Sequence, residues 1–599
     1  MKRTDIIPPQ IARTLPGLLV ERARRSPDST GCCQYDEQQQ QWQSLSWQQI
    51  NAAVMQWRGA LAAEQLNPGD RVAIMLRNCK EWMFFDLAAL GLGLVTVPLY
   101  PNDRADSAAY ILQHADAKLL LLEDLSEQPE LLQHDVIHKL KRVISLAETP
   151  PPEPLANGHI VTDWLNQAEQ ALEPLNTIDT DELATIVYTS GTTGPPKGVM
   201  LSHHNILWNV WRGLQYVPIY PDDSFLSFLP LSHTLERSIG YYLPIMAGAG
   251  ITYARSIPQL AEDLLDRKPS VLISVPRIYE RIYNRLQEQL LTKSPLERQL
   301  FKWAVTIGWH YFEYRQQRRR WHPALLLHPI LNRLVGSKIQ NRVGGRLRVA
   351  ICGGAPLPEH VSRTFIALGL PILQGYGLTE TSPVISVNQA DKNLPRSVGL
   401  PLQDIDLRIT DEDELVVKSP GVMLGYWKDP EATAQAVDEH GWLHTGDLAE
   451  QDEKGYIHIT GRLKDIIVLA NGEKVSPVDM ETAIAADKLI DQALVIGNDR
   501  PFLSALLVLS DEAWVQLSKL TGLAEQEQIK TEPAAQQLLL DRIQLLLHDF
   551  PSYAQIIRVA ICLHPWTIEN GLSTPTLKAK RQQILRQYAA DIDKLYEGH

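Results

Sequence analysis

Tyr188-Thr189-Ser190-Gly191-Thr192-Thr193-Gly194-Pro195-Pro196-Lys197-Gly198-Val199 is the run from which the rest of the chain can be read. A hydrophobic strand-like segment, 185–188, leads into it, and a helix-like pattern begins near Ser202. Small and hydroxylated residues let backbone N–H groups come close to a polyphosphate, and Lys197 adds a mobile positive charge. The run is not a Walker A loop. No glycine stands directly before Lys197, and Gly198 occupies the place of the hydroxyl residue that would hold magnesium.

Outward from this loop, strand-like runs at 71–76, 94–99, 118–122, 251–254, 271–275 and Val349–Cys352 alternate with helical spacing such as 47–64 and 110–115. That alternation predicts layered α/β structure with largely parallel sheets. The greasy stretch 84–100 is interrupted by Asp86, Gly91, Gly93 and Pro98, so it reads as a buried helix, a turn and a strand. It falls short of the ~20 apolar residues that span a bilayer. A Pro-rich stretch at 149–154 reads as a linker. Beyond about residue 395 the strands shorten and the turns fill with Asp, Gly and Pro, as in a small barrel. A mixed α+β tail follows.

The 599 residues carry a net charge of −13, which disfavours general binding to nucleic acid. Charge is unevenly spread. Residues 277–343 hold 13 Lys and Arg against 4 Glu, with nine aromatic residues, so the remaining chain bears −22. The five cysteines make no CxxC pair, and no apolar leader follows Met1. A reducing, cytoplasmic setting is the expectation, with neither a disulfide scaffold nor a structural zinc.

Five further segments occur in order: Leu229-Pro230-Leu231-Ser232-His233-Thr234-Leu235-Glu236-Arg237, Gly375-Tyr376-Gly377-Leu378-Thr379-Glu380-Thr381, Trp442-Leu443-His444-Thr445-Gly446-Asp447, Gly461-Arg462-Leu463-Lys464-Asp465, and Pro575-Thr576-Leu577-Lys578-Ala579-Lys580-Arg581. With the glycine-rich run they resemble the ordered motifs of the adenylate-forming superfamily, which holds acyl-CoA synthetases, peptide-synthetase adenylation domains and beetle luciferases. The resemblance covers nearly the whole chain. It implies an α/β fold: a large domain, 1–463, of two layered subdomains at about 1–180 and 181–395, a helical basic insertion at about 277–343 and a β-barrel at about 396–463. A smaller, mobile α+β domain, 464–599, would follow.

The resemblance also implies roles. ATP would lie on Thr189, Ser190, Gly191, Thr192, Thr193, Gly194 and Lys197, against Gly354, Gly375, Gly377 and Thr379. Tyr376 would stack on adenine, and Asp447 with Arg462 would hold the ribose. Thr189 and Glu380 would hold Mg²⁺, a hard cation that takes oxygen ligands. Lys578, Lys197 and His233 would serve catalysis, and Lys464 would be the hinge. Lys580 and Arg581 stand close enough to Lys578 to leave the choice of catalytic cation open.

Joining a carboxylate to the α-phosphate of ATP brings one anion onto a polyanion, so gathered positive charge is the chemical requirement. An amino-acid substrate is disfavoured because no Asp follows His233, and Glu236 stands beside Arg237, which would neutralise it. The His-x-x-Glu-Arg pattern and the run Val275-Pro276-Arg277-Ile278-Tyr279-Glu280-Arg281 are similar to long-chain fatty acyl-CoA synthetases. The expected reaction is conversion of a fatty acid to acyl-AMP, then to a thioester on CoA. Transfer to an acyl carrier protein is the alternative, and a non-catalytic fatty-acid or nucleotide-binding protein a third reading. Arg315, Arg318, Arg319, Arg320 and Trp321 would let the insertion touch anionic lipid at the inner face of a membrane.

Overall fold

The structure, a computed structural model, describes residues 3–149, 155–166, 178–189, 195–548, 550–551, 554–574 and 578–597. Ser190, Gly191, Thr192, Thr193 and Gly194, and most of the Pro-rich stretch at 149–154, therefore lie outside the described residues.

Two large sheets form the body. One has eight strands, and its central members Arg71–Met75, Val95–Pro98 and Ala117–Leu122 run parallel. The other has nine, with Ser224–Ser227, Val271–Ser274, Val349–Cys352 and Ile372–Gly377 parallel at its centre. Such strands read as continuous apolar runs because helices cover both faces; Val349–Cys352 is buried throughout. The stretch 84–100 resolves into the helix Lys80–Leu90 and the strand Val95–Pro98, as its interruptions predict.

The sheets do not part at residue 180. The hairpin Thr30–Asp36 and Gln41–Ser46 joins the nine-stranded sheet, while Leu183–Thr189 and Lys197–Ser202 belong to the eight-stranded one. Long-range pairing places them, as with Cys32 opposite Ile251, and no local pattern reports such pairing.

The expected barrel is an open sheet. Asp406–Ile409, Glu414–Lys418, Leu443–Gln451 and Ile457–Arg462 form four antiparallel strands, and the first and last are not paired. Four strands are too few to close around a filled interior. Their apolar face, with Leu415, Val417, Leu443 and Ile457, instead joins the main core of the large domain.

The tail has a core of its own. The strands Ile490–Ile496, Leu503–Leu509 and Ile556–Cys562 carry the helices Pro477–Ile484 and Pro533–Leu546, packed through Met480, Ile484, Leu507, Leu539 and Ile543. The basic segment is helical as expected, with Pro276–Leu291, Pro295–Arg315 and Ser337–Arg342 as its main helices. Among the described residues no helix is long and apolar enough to cross a membrane.

Candidate active site

The glycine-rich run leaves and re-enters the eight-stranded sheet as an antiparallel pair, and Thr189 lies opposite Lys197 in register. Lys197 is exposed, with Nζ 5.0 Å from the centre of the Tyr426 ring. Tyr426 arrives on the two-residue strand Gly425–Tyr426, paired with Met200 and Val199. Its hydroxyl donates to Glu380 Oε1 at 2.9 Å. Tyr426 thus ties Glu380 to the strand pair that flanks the glycine-rich run. Sequence reading missed it, because the link is a long-range strand pairing with no local signature.

Glu380 lies in the short turn Thr379–Thr381, directly after the strand Ile372–Gly377 that carries Gly375, Tyr376 and Gly377. A Cβ on Gly377 would come within 1.9 Å of the Pro383 carbonyl oxygen, so close backbone packing fixes this glycine. Gly354 differs. Its φ of +84° is the left-handed region, and a Cβ there would meet only Val275, at 3.7 Å. The turn after Val349–Cys352 thereby leaves open space above the sheet.

Tyr376 donates from its hydroxyl to Asp447 Oδ2 at 2.5 Å, and Arg462 Nε donates to Asp447 Oδ1 at 2.8 Å. Asp447 and Arg462 are register partners in the four-stranded sheet, which explains how residues 15 apart meet. Asp447 is only 3% exposed. A buried carboxylate is costly unless bonded, and these two donors meet that cost.

Tail and body meet here. Ser573 bridges Ala579, the Thr574 N–H donates to the Lys578 carbonyl at 2.8 Å, and the Lys580 N–H donates to the Leu572 carbonyl at 2.8 Å, which ties the residues beside Lys578 together. The Lys578 side chain is exposed at the surface of the tail. Crowding by the surrounding protein, then the Arg462 charge, pulls its ammonium down to about 8, against the opposing pull of Asp447. His233 senses Lys578 in turn. Burial, with that nearby cation, holds its imidazole down to about 4, so it is neutral at pH 7. The Leu235 N–H donates to His233 Nδ1 at 3.2 Å, which leaves the proton on Nε2. His233, Asp447, Arg462 and Lys578 therefore come together from four separate motifs.

Arg237 corrects one expectation. It does not neutralise Glu236 but donates to Asp86 Oδ1 at 2.5 Å, Thr185 Oγ1 at 2.6 Å and Thr96 Oγ1 at 2.7 Å. Tyr242 completes the cluster, donating to Asp86 Oδ2 at 2.5 Å. Successive helical side chains point about 100° apart, so a sequence neighbour is seldom a partner. Among the described residues no cation pairs with Glu236, and burial pushes its carboxyl up to about 8, keeping it neutral.

Lys464 is exposed in the short turn Leu463–Asp465, between the last strand of the four-stranded sheet and the first of the tail. In the insertion, Arg315, Arg319, Arg320 and Trp321 are exposed. Arg318 is not, which corrects its assignment to a lipid-facing surface. It pairs with Glu313, donates to the Asn393 carbonyl at 2.9 Å and stacks over Phe312, because the turn after the long helix folds it back on the body.

Two large α/β sheets thus form one body, and a separately cored tail brings Lys578 near Asp447 and Arg462. The chain belongs to the AMP-binding enzyme family, whose model matches residues 19–427, and the family's C-terminal domain matches 464–599. It is 32% identical over 570 residues to the Mycobacterium bovis long-chain-fatty-acid–CoA ligase FadD15, covering 92% of this chain and 91% of the relative. It is 29% identical over 616 residues to the Arabidopsis thaliana chloroplastic long-chain-fatty-acid–[acyl-carrier-protein] ligase AEE15, covering 92% and 82%. Among solved structures, the adenylation domain of a Mycobacterium chelonae carboxylate reductase shares the fold, with a TM-score of 0.77, 22% identity and coverage of 97% and 91%.

Proposed function

We propose that this chain activates a long-chain fatty acid with ATP, releasing pyrophosphate, and passes the acyl group from AMP to CoA. The observation that carries this reading is the convergence of Lys578 from the tail with His233, Asp447 and Arg462 of the body. The carboxylate of the fatty acid attacks the α-phosphorus of ATP, and the bond to pyrophosphate breaks. Two anions approach in that step, and a lysine placed between them neutralises both without proton transfer. Neutral His233 presents Nε2–H as a donor beside the carboxylate. Asp447 and Arg462 bind the ribose hydroxyls, orienting the α-phosphate for in-line attack.

The donor set suits Mg²⁺. Tyr426 engages one oxygen of Glu380 and leaves the other, and the Thr189 hydroxyl is a further hard donor. No cluster of three or more His, Cys, Asp or Glu ligands for a metal occurs among the described residues. A magnesium ion delivered with ATP and held by one carboxylate fits that pattern, and when bound it would offset phosphate charge.

The insertion supports contact with anionic lipid at the inner face of the cytoplasmic membrane. Nine of the 20 exposed large apolar side chains among the described residues fall within its 67 positions, including Trp303, Trp321, Leu326 and Ile330. Apolar side chains set among arginines are what a lipid surface rewards.

The test is to incubate the protein with ATP, Mg²⁺ and a chain-length panel of fatty acids, then add CoA or holo-carrier protein separately. Acyl-dependent pyrophosphate release and a CoA thioester are expected. A thioester on the carrier alone would favour the activity named for the Arabidopsis relative. No adenylation with any fatty acid would overturn the reading.

A further inference from the structure

The segment at 420–427 belongs to none of the six motifs, yet Tyr426 within it meets a side chain from each of two of them, Lys197 and Glu380. Backbone hydrogen bonds fix its course against both. The Met423 N–H donates to the Glu380 carbonyl at 2.9 Å, and the Ser382 hydroxyl donates to the Gly421 carbonyl at 2.9 Å. On the other side the Leu424 N–H donates to the Met200 carbonyl at 2.9 Å, and the Trp427 N–H to the Gly198 carbonyl at 2.7 Å. The Thr433 hydroxyl accepts from the Tyr426 N–H at 2.9 Å and donates to the Asp429 carbonyl at 2.8 Å. Asp429 caps the helix Pro430–Ala436, so the backbone of Tyr426 is anchored from a third direction.

This framework aims both parts of the side chain. Tyr426 stands opposite Val199 in the antiparallel pair, and Lys197 lies two residues before Val199. Such diagonal neighbours are within reach when one is aromatic and the other long. The Lys197 ammonium accordingly lies 5.0 Å from the ring centre, a distance at which the ring face attracts a cation. An ionised carboxylate only accepts hydrogen bonds, so the phenol is the donor in the 2.9 Å contact with Glu380 Oε1. That bond holds the carboxylate in one orientation and leaves Oε2 to a ligand.

We propose that Tyr426 is a positioning residue of the nucleotide site, its hydroxyl orienting Glu380 toward a magnesium ion on the phosphates and its ring seating the Lys197 ammonium beside them. In this role Tyr426 touches no reactant and acts through those two groups. The inference rests on the ATP-dependent activation proposed above.

Binding of α,β-methylene-ATP tests it without turnover, because the bridging carbon blocks the break at the α-phosphorus. Calorimetric titration with and without Mg²⁺ gives the affinity and the gain that Mg²⁺ confers. Tyr426→Phe keeps the ring and loses the hydroxyl. It should cut the Mg²⁺-dependent gain by about 10-fold, the scale for removing a group that orients a metal-ligating carboxylate. Its Mg²⁺-free affinity should match wild type, whereas Tyr426→Leu, which loses the ring as well, should lower that affinity by about 3-fold. Tyr426→Phe combined with Glu380→Gln should show the same gain as Glu380→Gln alone, which a general loss of packing would not give. An undiminished gain in Tyr426→Phe, or additive losses in the double variant, would overturn the orienting of Glu380. Undiminished Mg²⁺-free affinity in Tyr426→Leu would overturn the seat for Lys197. Either result leaves the functional reading intact, while a wild-type protein that binds no analogue with Mg²⁺ present would overturn both.

Discussion

At the scale of single residues, Lys578 carries the largest predicted effect. Lys578→Ala should slow acyl-AMP formation by at least ~100-fold, the usual yield of removing a group aimed at developing charge. Thioester formation from supplied acyl-adenylate should fall much less; stopped assays of the two half-reactions separate them. The same lysine sets the pH profile. Its folded pKa lies near 8, below the ordinary lysine value, so the cation is present below pH 8 and lost above it. The value of kcat/KM for adenylation should therefore decline on the alkaline side with an apparent pKa near 8, and Lys578→Arg should move that decline upward. His233 should contribute no inflection between pH 5 and 7, since it is already neutral there.

At the scale of elements, the buried cluster of Arg237, Asp86, Thr96, Thr185 and Tyr242 binds the helix Glu236–Tyr242 to two strands and the helix Lys80–Leu90. Breaking such a pair leaves an uncompensated charge inside, so Asp86→Ala should cost about 3–5 kcal/mol in denaturant unfolding. Because Thr185 lies on the strand entering the phosphate loop, the loss should also raise the KM for ATP. The helical insertion makes a separate prediction. Arg319→Glu with Arg320→Glu should weaken binding to anionic vesicles by roughly 10-fold or more, at about 1 kcal/mol for each basic residue near the surface. Trp321→Ala with Leu326→Ala should weaken binding through lost apolar burial. Sedimentation with vesicles checks both, and unchanged binding would remove lipid contact from the reading.

At the scale of the whole molecule, the tail has a core separate from that of the body, so it can turn without unfolding. Lys464 stands at the junction and is the proposed pivot. Lys464→Pro fixes φ near −65° and should retain pyrophosphate exchange while slowing thioester formation by ~10-fold or more. Rapid-quench measurement of each half-reaction checks this, and equal retention of both would place the pivot elsewhere.

The layered α/β plan and the strands at 71–76 and 349–352 were legible in the sequence. Periodicity and ordered motifs are local properties, and each needs only a few neighbouring residues to be read. Pairing across the chain was not legible: Tyr426 beside Glu380, Arg237 on Asp86, Arg318 folded back onto Glu313, and the hairpin at 30–46 joined to the second sheet. What distinguishes Lys578 from Lys580 also comes only from the fold, because two lysines with one residue between them are chemically equivalent until their charged neighbours differ. Side-chain chemistry determined which reaction this chain could support. Contacts between residues hundreds of positions apart decided which side chains take part, since burial and charge at a site are set by whatever the folded chain brings beside it.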